Sequence, residues 1–301
     1  MSHAKDLPGR SLSRRNFIVG AGGVAALTIA AGCGGNGHSS TGSGTGTGTG
    51  TGSSITDTDI LNFALNLEYL EAEFYLRAVT GSGLQSSDTG SNAGSVTGGT
   101  QVTFKTPAIQ QYATEIANDE QLHVQFLRKA LGSAAVSRPA IDFTDAFNAA
   151  ASAAGIGSSF NPFADEDSFL LGAFVFEDVG VTAYHGAASL LTDKTNLAAA
   201  AGILGTEAYH AGEIRTLIAQ LGGASLVAAN KISNLRATAG GGNETMVSST
   251  SIVAADSNSI SYDRTTDQVL HIVYLSPSAG VVAKGGFFPS GLNGKITATA
   301  S

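Results

Sequence analysis

The tetrad Glu-x-x-His occurs twice in this chain, as Glu120-Gln-Leu-His123 and as Glu207-Ala-Tyr-His210. Each copy lies within a run of apolar residues spaced three or four apart, a pattern typical of an amphipathic α-helix. Two residues three positions apart project from the same face of a helix. The tetrads therefore predict two helices that each present a carboxylate and an imidazole side by side.

Two further helical stretches each carry one glutamate on their apolar stripe, Glu68 and Glu177. Burying an unpaired carboxylate is costly, and neighbouring carboxylates also repel one another. Divalent or trivalent cations would remove both costs, whereas a single glutamate could instead snorkel to solvent or pair with a core histidine. The four stripes read Leu61, Leu65, Glu68, Ala72, Tyr75, Val79; Ile109, Tyr112, Ile116, Glu120, His123, Leu127, Leu131; Leu170, Phe174, Glu177, Val181, Tyr184, Ala188, Leu191; and Ala200, Ile203, Glu207, His210, Ile214, Leu217, Leu221.

These four stripes predict an all-α fold, a four-helix bundle over residues 55–237. Candidate boundaries are Thr56 or Asp57 as the first cap, Pro107 at the start of the second helix, Gly132 at its end, and Gly222-Gly223 after the fourth. A long connection between the second and third helices allows them to run parallel, as in bundles with a crossover. A short link at Thr192 to Asn196 predicts antiparallel third and fourth helices.

The connections carry fewer signals than the helices. The segment from Val96 to Phe104 is a candidate hairpin, and Asp145 to Ala154 is a candidate short helix within the long connection. Residues 238–301 are expected to form an extension that packs on the bundle, with a short helix capped at Thr266-Asp267 and running through Val273. Phe287 and Phe288 are expected to be core or interface residues, and no chemistry is assigned to the extension.

The first 54 residues have the composition of a targeting segment and a linker. The sequence Ser13-Arg14-Arg15-Asn16-Phe17-Ile18 resembles a twin-arginine motif, and the apolar run that follows is too short to span a membrane. Cys33 ends a sequence that resembles a lipoprotein cleavage box, so residues 1–33 predict export with either lipidation at Cys33 or ordinary cleavage nearby. Residues 34–54, almost wholly Gly, Ser and Thr, predict a flexible tether to a membrane or cell envelope.

The charge balance argues against nucleic-acid binding. Lys and Arg number 16 against 24 Asp and Glu, which gives a formal net charge of −8. Phosphate backbones require a basic face.

The chain resembles the ferritin-like superfamily, and within it a ferritin-like domain family that includes exported bacterial proteins and plant desiccation-related proteins. The resemblance covers about Asp59 to Leu221 and is specific in its order of Glu, Glu-x-x-His, Glu and Glu-x-x-His, the ligand pattern of di-iron and di-manganese bundles. The segments that carry it are residues 67–75, the two tetrads and residues 176–181, with residues 264–270 and 285–289 in the extension.

This resemblance implies roles for six residues around dinuclear iron or manganese, two metals that the sequence does not distinguish. Glu68 and His123 would bind one metal, and Glu177 and His210 the other. Glu120 and Glu207 would bridge both.

Several neighbours of these six residues have alternative roles. Tyr75 and Tyr184 each lie seven residues after a candidate ligand glutamate. They could donate hydrogen bonds to ligands, supply an electron or fill the core. Glu71 has three candidate roles: an extra ligand, a hydrogen-bond acceptor beside the ligands, or a carboxylate at the rim of the site. Asp178 and His185, seven residues apart beside the third stripe, are expected either to pair next to the ligands or to make a plain surface contact. Four acidic residues fall off the stripes and are expected to be solvated: Glu73, Glu115, Asp119 and Glu213.

Two classes of function follow. The first is redox chemistry on dioxygen, peroxide or Fe(II) in envelope stress protection, by a di-metal oxidase, peroxidase or catalase-like protein. The second is a non-catalytic, desiccation-related envelope scaffold with structural metal or none. A homodimer is a candidate assembly in either case, and the sequence leaves the oligomeric state open.

Overall fold

The computed structural model describes residues 54–277 and 280–300. Helices dominate these residues, so the predicted all-α fold is confirmed. The predictions for residues 1–33, including Cys33, and for all but the last residue of the tether lie outside the described residues.

The described part of the chain forms eight helices, one 3₁₀ turn and two short strands. In chain order the helices are α1 (Asp57–Thr80), α2 (Ser86–Thr89), α3 (Pro107–Leu131), α4 (Asp145–Ala153), α5 (Glu166–Ala188), α6 (Lys194–Leu221), α7 (Gly223–Gly240) and α8 (Thr266–Val273). The strands are β1 (Val96–Thr97) and β2 (Ile141–Asp142), and the 3₁₀ turn is Gly132–Ala134.

Local chemistry explains where the long helices begin. Thr56 caps α1 through a capping box, since its hydroxyl accepts from the Asp59 backbone N–H while the Asp59 carboxylate accepts from the backbone N–H of Thr56. Pro107 is the first residue of α3, where its missing N–H has no intrahelical partner to lose. Asp165 and Asp193 accept backbone N–H groups at the starts of α5 and α6.

The bundle consists of α1, α3, α5 and α6. The pairs α1 with α3 and α5 with α6 pack most extensively. Its core is largely aromatic on one side of the candidate ligands, where the rings of Phe74 and Phe169 stack with centroids 5.7 Å apart and an interplanar angle of 2°. On the predicted stripes, Tyr112 and Leu221 prove exposed, because they lie toward the ends of their helices.

The predicted hairpin between Val96 and Phe104 is wrong. β1 pairs in parallel with β2, with Val96 opposite Ile141 and Thr97 opposite Asp142. Strands that pair in parallel cannot be joined by a tight turn, so the loop after α1 is tied instead to the long connection after α3. The short helix expected in that connection is present as α4.

The bundle carries one long helix that was not predicted, α7. It follows α6 directly, because Gly222 and Gly223 both adopt positive φ angles, of 62° and 50°, and turn the chain without a linker. The extension then packs over α5 and α7 through α8. Phe287 and Phe288 are buried, and the Phe287 ring meets those of Phe147 and Phe176 edge-on at 5.0 Å.

Within the described residues, no helix has both the length and the apolar character needed to cross a membrane.

Candidate metal centre

The four bundle helices bring all six predicted ligands to one buried point. Glu68 comes from α1, Glu120 and His123 from α3, Glu177 from α5, and Glu207 and His210 from α6. Every one of these side chains is buried, and the two imidazole rings lie with centroids 6.3 Å apart. The i, i+3 spacing therefore has the predicted effect, although the binding of metal by these residues stays a prediction.

The first group of potential ligands surrounds His123. Its Nδ1 atom lies 3.2 Å from Glu68 Oε2, 3.6 Å from Glu120 Oε2 and 3.5 Å from Glu207 Oε1. One ligand atom from each of these four residues lies within 4.8 Å of every other, a spread that suits ligands of one ion.

The second group surrounds His210. Its Nδ1 atom lies 3.0 Å from Glu120 Oε1 and 3.7 Å from Glu177 Oε2. Because Glu120 belongs to both groups, its expected bridging role has geometric support. Glu207 belongs to the first group only, so its bridging role stays a prediction.

Eight buried side-chain atoms at this point make no hydrogen bond, although the two imidazole Nδ1 atoms lie within ion-pair distance of the carboxylates. They are Glu68 Oε2, both carboxylate oxygens of Glu120 and of Glu207, Glu177 Oε2, and the Nδ1 atoms of His123 and His210. Buried polar atoms are nearly always paired in folded proteins, so eight unpaired atoms facing each other form an unusually costly cluster. A pair of cations would satisfy all of them at once, and this donor set therefore fits a dinuclear metal site.

Two buried tyrosines hold the outer oxygens of two candidate ligands. The Tyr75 hydroxyl on α1 donates to Glu177 Oε1 on α5, and the Tyr184 hydroxyl on α5 donates to Glu68 Oε1 on α1. Each of these glutamates thereby keeps only Oε2 free. Of the roles considered from the sequence, these contacts agree with donation to a candidate ligand, and that role stays a prediction.

Asp119, which was predicted to be solvated, is half-buried and contacts the second group. Its Oδ2 atom lies 3.2 Å from His210 Nε2, on the side of the ring away from the ligand cluster. A carboxylate in this position fixes the tautomer and the orientation of a metal-binding imidazole. The contact joins α3 to α6 across 91 residues, so sequence spacing gave no signal for it.

Glu71 is buried beside the cluster but belongs to neither group. It is 5% exposed, which rules out a rim position. A Cβ atom at Gly180 would lie 2.2 Å from Glu207 Oε2 and 3.3 Å from Glu71 Oε1. Gly180 on α5 therefore leaves the space that the Glu207 carboxylate occupies, next to Glu71.

Burial and mutual repulsion perturb the pKa values across the cluster. Burial raises the pKa of Glu68 to about 8 and raises those of Glu71, Glu177 and Glu207. At Glu120, burial is outweighed by the His123 and His210 imidazoles, which lower the pKa. Burial opposes charging of His210, but Glu177 and Glu120 raise the pKa of its imidazole to about 10. The pKa of His123 also rises, chiefly through Glu68.

Other acidic residues also differ from the expectation of exposure. Glu73 is fully buried between Arg77, at 2.9 Å, and Arg138. The arginine four residues further along the same helix was a usable signal for this pair. Asp178 is buried against Arg215 and Arg236 and makes no contact with His185. Glu115 is exposed, as expected.

The family model described as "Ferritin-like domain" matches residues 56–220, more than half of the chain. The chain belongs to this ferritin-like domain family. The match spans α1 to α6 and so contains all six candidate ligands.

Two curated proteins are similar over most of the chain. One, described as "Ferritin-like catalase Nec2" from Nesocodon mauritianus, is 29% identical over 80% of this chain and 84% of its own length. The other, described as "Desiccation-related protein PCC13-62" from Craterostigma plantagineum, is 28% identical over 71% of this chain and 76% of its own length. Both are relatives of this ferritin-like chain.

Proposed function

We infer that the protein holds two iron or manganese ions between α1, α3, α5 and α6 and uses them in redox chemistry on peroxide. The observation that carries this proposal is the cluster of eight buried candidate ligand atoms that make no hydrogen bond. Carboxylate oxygen and imidazole nitrogen suit both metals, since these ligands do not discriminate between them. The relative that is described as a catalase supports peroxide as the substrate.

Peroxide disproportionation converts two molecules of hydrogen peroxide into two of water and one of dioxygen. One peroxide accepts two electrons and two protons as its O–O bond breaks, and the other gives up two electrons and two protons. When bound, the metal pair supplies the two-electron exchange between these half-reactions.

The protein's own residues orient the ligands and exclude water. Tyr75 and Tyr184 remain protonated because burial raises the pKa of both hydroxyls well above its usual range, so both keep donating to Glu177 and Glu68. Burial and the nearby carboxylates raise the pKa of Glu71 well above its usual range, which favours its protonated form. A proton on Glu71 would lie beside the Glu207 carboxylate, where an acid can donate to an oxygen atom released as the O–O bond breaks.

The second candidate function is a non-catalytic role with structural metal or none. The similarity to a desiccation-related protein favours it. In either case we propose export by the twin-arginine route, attachment to the cell envelope through Cys33 and assembly as a homodimer. The export and attachment proposals rest on the sequence of residues 1–54.

Dioxygen release from hydrogen peroxide, measured with an oxygen electrode, tests the proposed function. Glu120→Ala and Glu207→Ala should abolish the release seen with the metal-loaded parent protein. Glu115→Ala, an exposed change on the same helix as Glu120, should leave it unchanged. A metal-loaded parent that neither releases dioxygen from peroxide nor oxidises Fe(II) would contradict the redox proposal and favour the scaffold.

A further inference from the structure

A small chamber lies directly beside the candidate metal centre. It has a volume of about 20 Å³ and is bounded by α1, α5 and the extension. Glu71 is the one polar side chain in its wall, and Gly180 is also part of the wall. Because a Cβ at Gly180 would meet Glu207 Oε2 at 2.2 Å, this part of the wall is in contact with a candidate ligand.

A second chamber of about 30 Å³ lies on the surface side of the first. The two chambers share Val175, Ile272 and Phe287 as wall residues, so they are neighbours. The outer chamber lies among α4, α5, α7 and α8, and four of its wall residues are only half-buried: Ile156, Phe160, Leu235 and Leu275.

The walls of both chambers are almost wholly apolar in character. In the outer chamber the one charged residue is Arg236, and its guanidinium is already engaged with Asp178, Glu244 and the carbonyl of Phe174. Arg236 therefore presents its hydrocarbon stem to the chamber. In the inner chamber the Glu71 carboxyl is the one side chain that offers a hydrogen bond.

Small apolar cavities of this kind admit apolar molecules more readily than polar ones. Each chamber is large enough for about one or two water-sized molecules, but an ordered water needs about two to four polar partners. Water and hydrogen peroxide would lose most of their hydrogen bonds on entry, whereas an apolar diatomic molecule loses none.

We propose that the two chambers form a passage for dioxygen between the metal centre and the junction of the bundle with its C-terminal extension. This inference rests on the proposed function, in which dioxygen is the product of peroxide disproportionation or the oxidant of Fe(II). The extension has a role here that the bundle alone lacks, because Ile272 and Phe287 close both chambers.

Xenon, an apolar probe, tests whether the chambers admit a gas. Crystals of the full chain under xenon pressure should show xenon in one or both chambers, as dry apolar cavities bind it. Absence of xenon from both chambers would overturn the inference. This result does not depend on metal or on activity, so it is separate from the test of the proposed function.

Substitutions in the shared wall test whether dioxygen uses the passage. Ile272→Phe should narrow it and slow dioxygen release from peroxide by at least about fivefold, since product release often limits turnover. Val175→Ala should widen it and leave the rate at least as high as in the parent. Leu270→Phe makes an enlargement of similar kind at a buried position of α8 that lines neither chamber.

The pattern of the three variants decides the outcome. The inference requires that the Ile272→Phe variant release dioxygen from peroxide more slowly than the Leu270→Phe variant, at equal metal content and melting temperature. It also requires that the Val175→Ala variant release dioxygen at least as fast as the parent. Equal rates for the two phenylalanine variants would overturn it. A parallel assay of Fe(II) oxidation by dioxygen distinguishes entry from exit, because slowing in that assay identifies uptake. If the metal centre is inactive in both assays, occupancy by xenon alone supports or overturns the passage.

Discussion

Glu68 and Glu177 each use their two carboxylate oxygens differently. Glu68 and Glu177 each give Oε1 to a tyrosine and keep Oε2 free, whereas Glu120 keeps both oxygens free. This difference matches the expected roles, in which an outer ligand uses one oxygen for metal and a bridging ligand uses two. The tyrosines thus fix which oxygen faces the centre.

Tyr184→Phe should weaken metal binding without abolishing it. Loss of the hydroxyl frees the Glu68 carboxylate to rotate, and the loss of such supporting hydrogen bonds costs about 10- to 100-fold in metal affinity. Competition with a chelator measures the change. Tyr69→Phe is the matched control, because Tyr69 is equally buried on α1 but donates to the Val136 carbonyl. Equal losses in the two variants would contradict the role given to Tyr184.

Gly180→Ala should lower the metal content, because the added methyl group would occupy the position of Glu207 Oε2. Elemental analysis of the purified variant measures this effect. Gly205→Ala is the control, as a Cβ there meets nothing within 4 Å, and it should stabilise α6 by about 0.5–1 kcal/mol. A Gly180→Ala protein with the full metal content would show that Glu207 is free to move aside.

At the scale of elements, a buried charge network fastens the extension to the bundle. Asp178 on α5 binds Arg215 of α6 at 2.7 Å and Arg236 of α7 at 2.6 Å. Glu244 then joins Arg236 to Arg264, at 2.8 and 2.7 Å. The network therefore connects α5, next to the candidate ligand Glu177, with the segment that leads into α8.

Asp178→Ala should destabilise the protein by about 3–5 kcal/mol, because it leaves the buried Arg215 without a carboxylate partner and removes one of the two carboxylates that Arg236 binds. Chemical denaturation measures the free energy of unfolding. Glu115→Ala removes an exposed carboxylate from α3 and should change the free energy of unfolding by less than about 0.5 kcal/mol. A small effect of Asp178→Ala would show that the network does not hold the extension in place.

The four bundle helices could be predicted because each has a continuous stripe and a clear cap or stop. α7 was missed because Gly222-Gly223 indicates a stop, although Ala229, Ile232, Arg236 and Ala239 of α7 are buried at steps of three or four. The parallel pairing of β1 with β2 depends on contacts between distant segments, which no local pattern encodes.

At the candidate site, too, contacts between distant segments could not be predicted from local sequence patterns. The six candidate ligands were found because each interrupts an apolar stripe. The contact of Asp119 with His210 and the exchange of tyrosines between α1 and α5 required knowledge of which helices are neighbours.

At the scale of the whole molecule, the cluster couples metal binding to pH. In the metal-free protein the pKa of Glu68 is raised from 4.5 to about 8, so the stability linked to its protonated form is present below pH 4.5 and is lost as the pH rises through about 8. His210, whose pKa is raised from 6.5 to about 10, contributes stability that is lost through about pH 10. Metal must displace these protons, so its binding strengthens as the pH rises.

The melting temperatures of metal-loaded and metal-free protein should therefore diverge between about pH 5 and pH 8. The melting temperature of the loaded form should rise relative to that of the free form as the pH increases. Calorimetry of both forms at a fixed free concentration of Mn(II) measures this difference. A difference that stays constant across that range would contradict the coupling.

The central claim is that α1, α3, α5 and α6 enclose two metal ions, and the number of metal ions per chain tests it most directly. Elemental analysis of the full-length protein, after supply of iron and manganese, should give about two ions per chain. Glu120→Ala with Glu207→Ala should lose them, and Glu115→Ala should retain them. A folded parent protein that takes up neither metal would contradict the claim.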